Sequence, residues 1–243
     1  MFQALIFGII SGFSLLFGAV VGSTFNLKQK TIARFMAFGS GVLVCALTFG
    51  LMEEAFVHGG FDAVTIGFIA GGLTFVAGDY LVHIKGGRKH KRKQLVDARN
   101  ESNGKIITLG ALLDGVPESI ALGISIFNGQ GRGFLMLIAI VLSNFPEGIS
   151  SINGLIKEGF SKKKIFIMWF VVAFLTATTT VLSFYFLHDA SQNTIGVIEA
   201  FAAGAILAML ADSMMPEAFE EGGFSMGLLT VLGFLVAFII SRF

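Results

Sequence analysis

Eight apolar runs, each long enough to cross a bilayer, leave this chain almost nothing with which to build any other structure. They fall near 2–24, 33–57, 61–85, 105–128, 132–156, 165–187, 195–219 and 224–242. A helix needs about 20 residues to cross roughly 30 Å of hydrocarbon. In lipid the backbone can satisfy its hydrogen bonds only within helices or closed barrels. The runs therefore predict an all-α integral membrane protein with eight transmembrane helices, one polytopic domain over 1–243. Only 14% of the residues are charged, against about 25% in a soluble domain, and the mean hydropathy is +0.81. A net charge of +1 gives no support to nucleic-acid binding. The single cysteine, Cys45, excludes an internal disulfide and any Cys-rich metal site. The first run has no basic residue before it and no small-residue cleavage site after it, so it is expected to be retained as a span.

Positive charge sets the orientation. Lys28, Lys30 and Arg34 follow the first run. Lys85, Arg88, Lys89, Lys91, Arg92, Lys93, Arg99 and Lys105 crowd the loop at 86–104 and its edges, and Lys157, Lys162, Lys163 and Lys164 follow the fifth run. With eight spans, these 15 of the 17 Lys and Arg residues share one side, and only Arg132 and Arg242 remain on the other. The basic loop 86–104 is then cytoplasmic and both termini lie outside the plasma or inner membrane. Its charge is read as the topology signal rather than as a nucleic-acid or lipid patch.

The second and seventh runs share a pattern. Phe38 to Phe61 aligns with Phe201 to Phe224 at a constant offset of 163, without a gap and with ten identities in 24 positions. Met52, Glu54, Ala55, Phe56, Gly59 and Gly60 match Met215, Glu217, Ala218, Phe219, Gly222 and Gly223. The two runs cross the membrane in opposite directions, which predicts an inverted repeat of segments 1–3 and 6–8 around central helices 4 and 5. The pairs Gly8–Gly12, Gly18–Gly22 and Gly67–Gly71 are read as close helix packing.

Polar groups in the fourth and fifth runs carry the chemistry. One holds Asp114, Pro117, Glu118 and Ser119; the other holds Ser143, Asn144, Pro146 and Glu147. A carboxylate at midplane costs roughly 2.5–3.5 kcal/mol on insertion scales, so three cost on the order of 8–10 kcal/mol unless compensated. Every Lys and Arg lies in a loop or at a span end, so protons or a bound cation must supply the compensation. Asp114 and Glu118 are four apart, Ser143 and Glu147 four, and Asn144 and Glu147 three, so each set shares one helix face. Pro117 and Pro146 each free a carbonyl four residues earlier, at Leu113 and Leu142, and kink the helix. The result expected is a small oxygen-lined cage. Glu53 and Glu54 at the outer end and Asp212 and Glu217 towards the inner end are candidates for an entrance and an exit. Asp79 and His83 are expected to form a local pair. His58, His83, His90 and His188 all lie at span ends or in loops, which disfavours an intramembrane metallohydrolase. Two rivals stay open: a proton-coupled carrier of another solute, and a metal sensor that does not transport.

The paired Pro-Glu motifs at midplane, the eight spans and the string Asp212-Ser213-Met214-Met215-Pro216-Glu217-Ala218 together resemble the ZIP (Zrt/Irt-like) family of divalent-metal transporters, over the whole chain. The resemblance implies import of a divalent metal as substrate, with no cofactor, by movement of one helix bundle against another. It also implies that Glu118 and Glu147 are metal ligands. Asp114 and Ser143 correspond by position to the family's motif histidines, Gly115 to its asparagine and Ser119 to its glycine. Gly115 supplies no side chain for a second ion, and the sixth run offers only Thr176, Thr178, Thr179 and Thr180. Zinc is the metal the family suggests, whereas Asp114, Glu118, Ser143, Asn144 and Glu147 form an all-oxygen set that suits harder cations such as manganese, magnesium or ferrous iron. The expected partners are the metal ion and the lipid bilayer; a homodimer is left open.

Overall fold

The structure is a computed structural model that describes residues 1–25, 27–84, 101–157 and 159–242, with the backbone alone at 83, 101–107, 130, 153 and 157. Helices α1 (Phe2–Thr24), α2 (Gln29–Cys45), α3 (Glu53–Ile84), α4 (Glu101–Phe127), α5 (Gln130–Lys157), α6 (Lys162–Leu187), α7 (Gln192–Met209), α8 (Met215–Gly222) and α9 (Ser225–Ile240) follow one another in chain order. Among the described residues there is no strand. Six runs are long and apolar enough to cross a membrane: Phe2–Thr24, Gln29–Val82, Thr108–Phe127, Gly131–Ile156, Lys162–Leu187 and Gln192–Gly222. The shorter apolar α9 follows them. The chain is thus an all-helical, multi-pass membrane protein. The expected second and third segments form one continuous run, Gln29–Val82, which bends at Gly60. Residues 86–100 of the basic loop and the side chain of His83 lie outside the described residues, as does His90.

Two helices widen at matching places. A π-helical turn, Ala46–Met52, joins α2 to α3, and another, Leu210–Met214, joins α7 to α8. A π turn leaves a carbonyl without its usual partner. In each junction a hydroxyl answers the carbonyl four residues before it: Thr48 donates to Val44 and Ser213 to Met209. Eight residues beyond the first π turn, Gly60 has φ 68°, and Gly223, which ends α8, has φ 76°. Only glycine takes this conformation without strain.

Glycine also decides which helices touch. Lipid gives helices no hydrophobic reason to associate, so close backbone approach must do it. Gly8 and Gly12 face Ala177 and Ala173 of α6, while Gly18 and Gly22 turn to Phe145, Ile149 and Ile152 of α5. Gly123 of α4 meets Thr180 and Ser183 of α6. These contacts gather α1, α4, α5 and α6 into one group. In the second group Gly67 and Gly71 of α3 lie on Val197 and Phe201 of α7, and Gly204 of α7 lies on Phe68. There too Gly41 of α2 meets Thr230 of α9, and Gly233 of α9 meets Phe38. The groups join where α2 packs on α5 and α4 on α7, around a core that includes Leu43, Leu51, Leu122, Ile140, Ile206 and Leu210.

Charge separates the two ends of the bundle. Lys162 donates to the Ser23 carbonyl, which puts the C-terminus of α1 and the N-terminus of α6 at one end with Lys28 and Lys30. Arg242 stands beside the rings of Phe49 and Phe238, 5.6 and 5.0 Å from their centroids, at the opposite end of the bundle.

Candidate metal centre

Pro117 and Pro146 both sit inside helices, α4 and α5. Each removes one N–H from the ladder and so exposes a carbonyl beside its polar motif. Over the Leu142 carbonyl, the one freed by Pro146, lies Gly39 of α2, where an added Cβ would come within 2.5 Å. The missing side chain lets α2 close over α5 beside Pro146.

The polar faces of α4 and α5 meet. Glu118 is 2% exposed, Ser143 2% and Asp114 8%; Asn144 and Glu147 are half-buried. The Ser143 hydroxyl lies 3.2 Å from Glu118 Oε1 and 2.9 Å from the Ile140 carbonyl. Asn144 lies close enough to act on the Glu118 carboxylate, as do the charges of Glu147 and Asp114. Glu118 Oε2 is buried and accepts no hydrogen bond. Unsatisfied buried carboxylate oxygens are costly, and this one belongs to a carboxylate on which two other acidic groups act. Among the described residues, no three His, Cys, Asp or Glu side chains stand together at metal-ligand spacing. A cation here would therefore draw on the hydroxyl and amide oxygens of Ser143 and Asn144 as well.

Position 115 is filled from outside. A Cβ on Gly115 would lie 2.7 Å from Cγ2 of Thr176 on α6, and the Thr176 hydroxyl is spent on Val172 and Ala173 of its own helix. Ser119 donates to the Gly115 carbonyl at 2.6 Å and is likewise occupied. The Gly115→Asn variant is accordingly expected to separate α4 from α6 and lower the melting temperature of the purified protein. An unchanged melt would show that Thr176 yields freely.

The outlying candidates take different places. Glu53 is exposed. Glu54 is 8% exposed and pairs with Arg132 at 2.6 Å. At the other end Glu217 accepts a hydrogen bond from Ser150 of α5 at 2.7 Å; Asp212 is half-buried in the second π turn.

One cluster was not singled out from the sequence. His58 Nδ1 lies 2.8 Å from Glu199 Oε2, Asn128 donates to Glu199 Oε1, and His58 Nε2 lies 4.0 Å from Glu54. Glu199, 0% exposed, is the one acid of the apolar stretch 195–211, and an acid in such a stretch is a signal in itself. Its partners come from helices far apart in sequence, and the sequence does not pair them. His188, the other described histidine side chain, pairs with Asp189 on the surface.

A family model described as ZIP zinc transporter matches residues 81–241, about two thirds of the chain and all of α4 and α5. The chain belongs to the ZIP family. A protein of Arabidopsis thaliana provisionally named a zinc transporter is 25% identical over 186 residues, 75% of this chain. The chain spans 29% of the length of that relative. The match to the ZIP model takes in both Pro-Glu motifs and the Asp212–Glu217 string.

Proposed function

We propose that this ZIP-family chain is a divalent-metal transporter, not an enzyme, carrying zinc, manganese or ferrous iron into the cytoplasm. The observation that carries the reading is Glu118: a buried carboxylate with one oxygen unbonded, acted on by the charges of two further acids and, among the described residues, by no cationic side chain. A passing cation supplies the compensation such a group requires. The ion is held by Asp114, Glu118, Ser143, Asn144 and Glu147. Glu53 and Glu54 mark the entrance, Asp212 and Glu217 the exit.

The arrangement in the membrane is eight helices with both termini outside. The run Gln29–Val82 counts as two spans hinged at Gly60, and α9 is the last. Segments 1–3 and 6–8 form an inverted repeat about α4 and α5. The offset of 163 that aligns the sequences also aligns Gly60 with Gly223, both at positive φ, and superimposes the two π turns. Reciprocal contacts of Phe38 with Gly233 and Phe201 with Gly71 support the same symmetry.

Uptake into proteoliposomes of zinc, manganese, ferrous iron and cadmium tests this reading. At least one metal is expected to enter; a folded protein that admits none overturns it. Carboxylate ligands must be deprotonated to bind, so a proton competes with the metal at each. Uptake is therefore expected to fall as the pH is lowered from 8 to 5. A flat profile would remove the carboxylates from the binding step.

A further inference from the structure

We propose that Glu54, His58, Glu199, Asn128 and Arg132 form a latch that holds the two helix groups together at one end of the bundle. Glu54 and His58 belong to α3 and Glu199 to α7, both in the second group. Asn128 follows α4, and Arg132 opens α5, both in the first. Each polar link between these residues that joins the groups crosses the seam: Arg132 Nη2 to Glu54 Oε1 at 2.6 Å, and Asn128 Nδ2 to Glu199 Oε1. His58 ties the two acids on the far side of the seam. Arg132 also donates from Nη1 to the Asn128 carbonyl at 3.0 Å, which holds the turn between α4 and α5 in place.

The physical reason for a latch is the burial of its acids. Within each group glycine contacts bring backbones together, and one such contact also crosses the seam, Gly39 of α2 on the Leu142 carbonyl of α5. At this end the seam is held by polar links, and parting it would take the amide of Asn128 from Glu199, 0% exposed, and leave that acid only His58 of its own group. It would also strand Glu54 without its guanidinium. A buried charge that loses its partner is strongly destabilised, whereas the intact pair is close to neutral in free energy. The network thus opposes parting of the groups steeply while adding little to overall stability. The latch spans the mouth that the transport reading calls the entrance, and it rests on that reading only for the name of the side.

Ser125 supplies the reporter. It is 0% exposed, one turn inward of Asn128 on α4, and its hydroxyl takes no hydrogen bond, so Ser125→Cys is a near-isosteric change. In a Cys45→Ala background, a membrane-impermeant maleimide is applied separately to each side of reconstituted protein, without metal. With the latch intact, labelling is expected to be slow from both sides. Arg132→Ala and Glu199→Gln are each expected to speed labelling at least tenfold from the Arg132 side only, and Arg132→Lys to restore most of the protection. Exchanging the charges, Glu54→Arg with Arg132→Glu, is expected to be slower to label than either single reversal. Unchanged labelling in variants that stay monodisperse would overturn the latch. Should Glu199→Gln fail to fold, Arg132→Ala decides alone, because that side chain is 43% exposed. Labelling that responds in a protein that admits no metal would overturn the transport reading and leave the latch standing. Uptake with unresponsive labelling would do the reverse.

Discussion

Glu118→Gln and Glu147→Gln are each expected to reduce metal uptake by about 100-fold or more, the upper end of what loss of even an outer-shell partner does to a metal site. Glutamine keeps the length and the packing of the side chain but removes the charge that a divalent ion would neutralise. Glu118 sits where this matters most, with Oε1 beside Ser143 and Oε2 unbonded among other acids. Ser143→Ala is expected to weaken uptake by only about tenfold, because the hydroxyl orients Glu118 and adds a neutral oxygen. Ser119→Ala serves as the control, since that hydroxyl is turned to the Gly115 carbonyl. Radiometal uptake at saturating and subsaturating metal separates affinity from rate. Full uptake by Glu118→Gln would take the site away from the α4–α5 interface.

Bulk at Gly71 is expected to prevent the second helix group from assembling. A Cβ there would run into the backbone of Phe201, and one at Gly204 into the backbone of Phe68. Backbone atoms in adjacent helices cannot swing aside as a side-chain terminus can. Overpacking of a tight interface costs about 1–3 kcal/mol for small insertions, so Gly71→Leu or Gly204→Leu is expected to exceed about 3 kcal/mol. Against a total stability of roughly 5–15 kcal/mol, that is a large fraction. Size-exclusion profiles and thermal melts in detergent provide the check, with Gly227→Ala as the comparison. Gly227 is exposed on α9 with open space around its Cα, and its replacement is expected to leave the melt unchanged. A Gly71→Leu protein that melts like the parent would mean that α3 and α7 do not pack as closely as the structure has them.

Where the chain is helical, that it crosses the membrane several times, and which family it belongs to were all legible in the residues. Continuous apolar runs admit few alternatives in lipid, and the two Pro-Glu motifs are local strings. The division into spans was harder to read. Gln29–Val82 is one apolar run by composition, but its helix is interrupted at Gly60, where φ is positive, between the runs 33–57 and 61–85. Helical spacing put Asp114 with Glu118 and Ser143 with Glu147, but it could not bring α4 and α5 together. The hydrogen bond from Ser143 to Glu118 belongs to their packing.

The cluster at the other end is the clearest case of tertiary structure deciding. Glu53 and Glu54 look alike in sequence, yet one is exposed and the other pairs with Arg132, 78 positions along the chain. Glu199 shows in the sequence only as an acid in an apolar stretch. Its partners His58 and Asn128 are 141 and 71 positions away. Likewise Gly115 reads in sequence as the loss of a ligand, whereas in the fold it is the place where Thr176 of α6 enters. What the sequence determined by itself is what local chemistry enforces: helices, because lipid leaves the backbone no other partner, and carboxylates on shared helical faces, because the period of the helix puts them there. What only the tertiary structure decided is which faces meet, because that depends on where glycine lets two backbones touch.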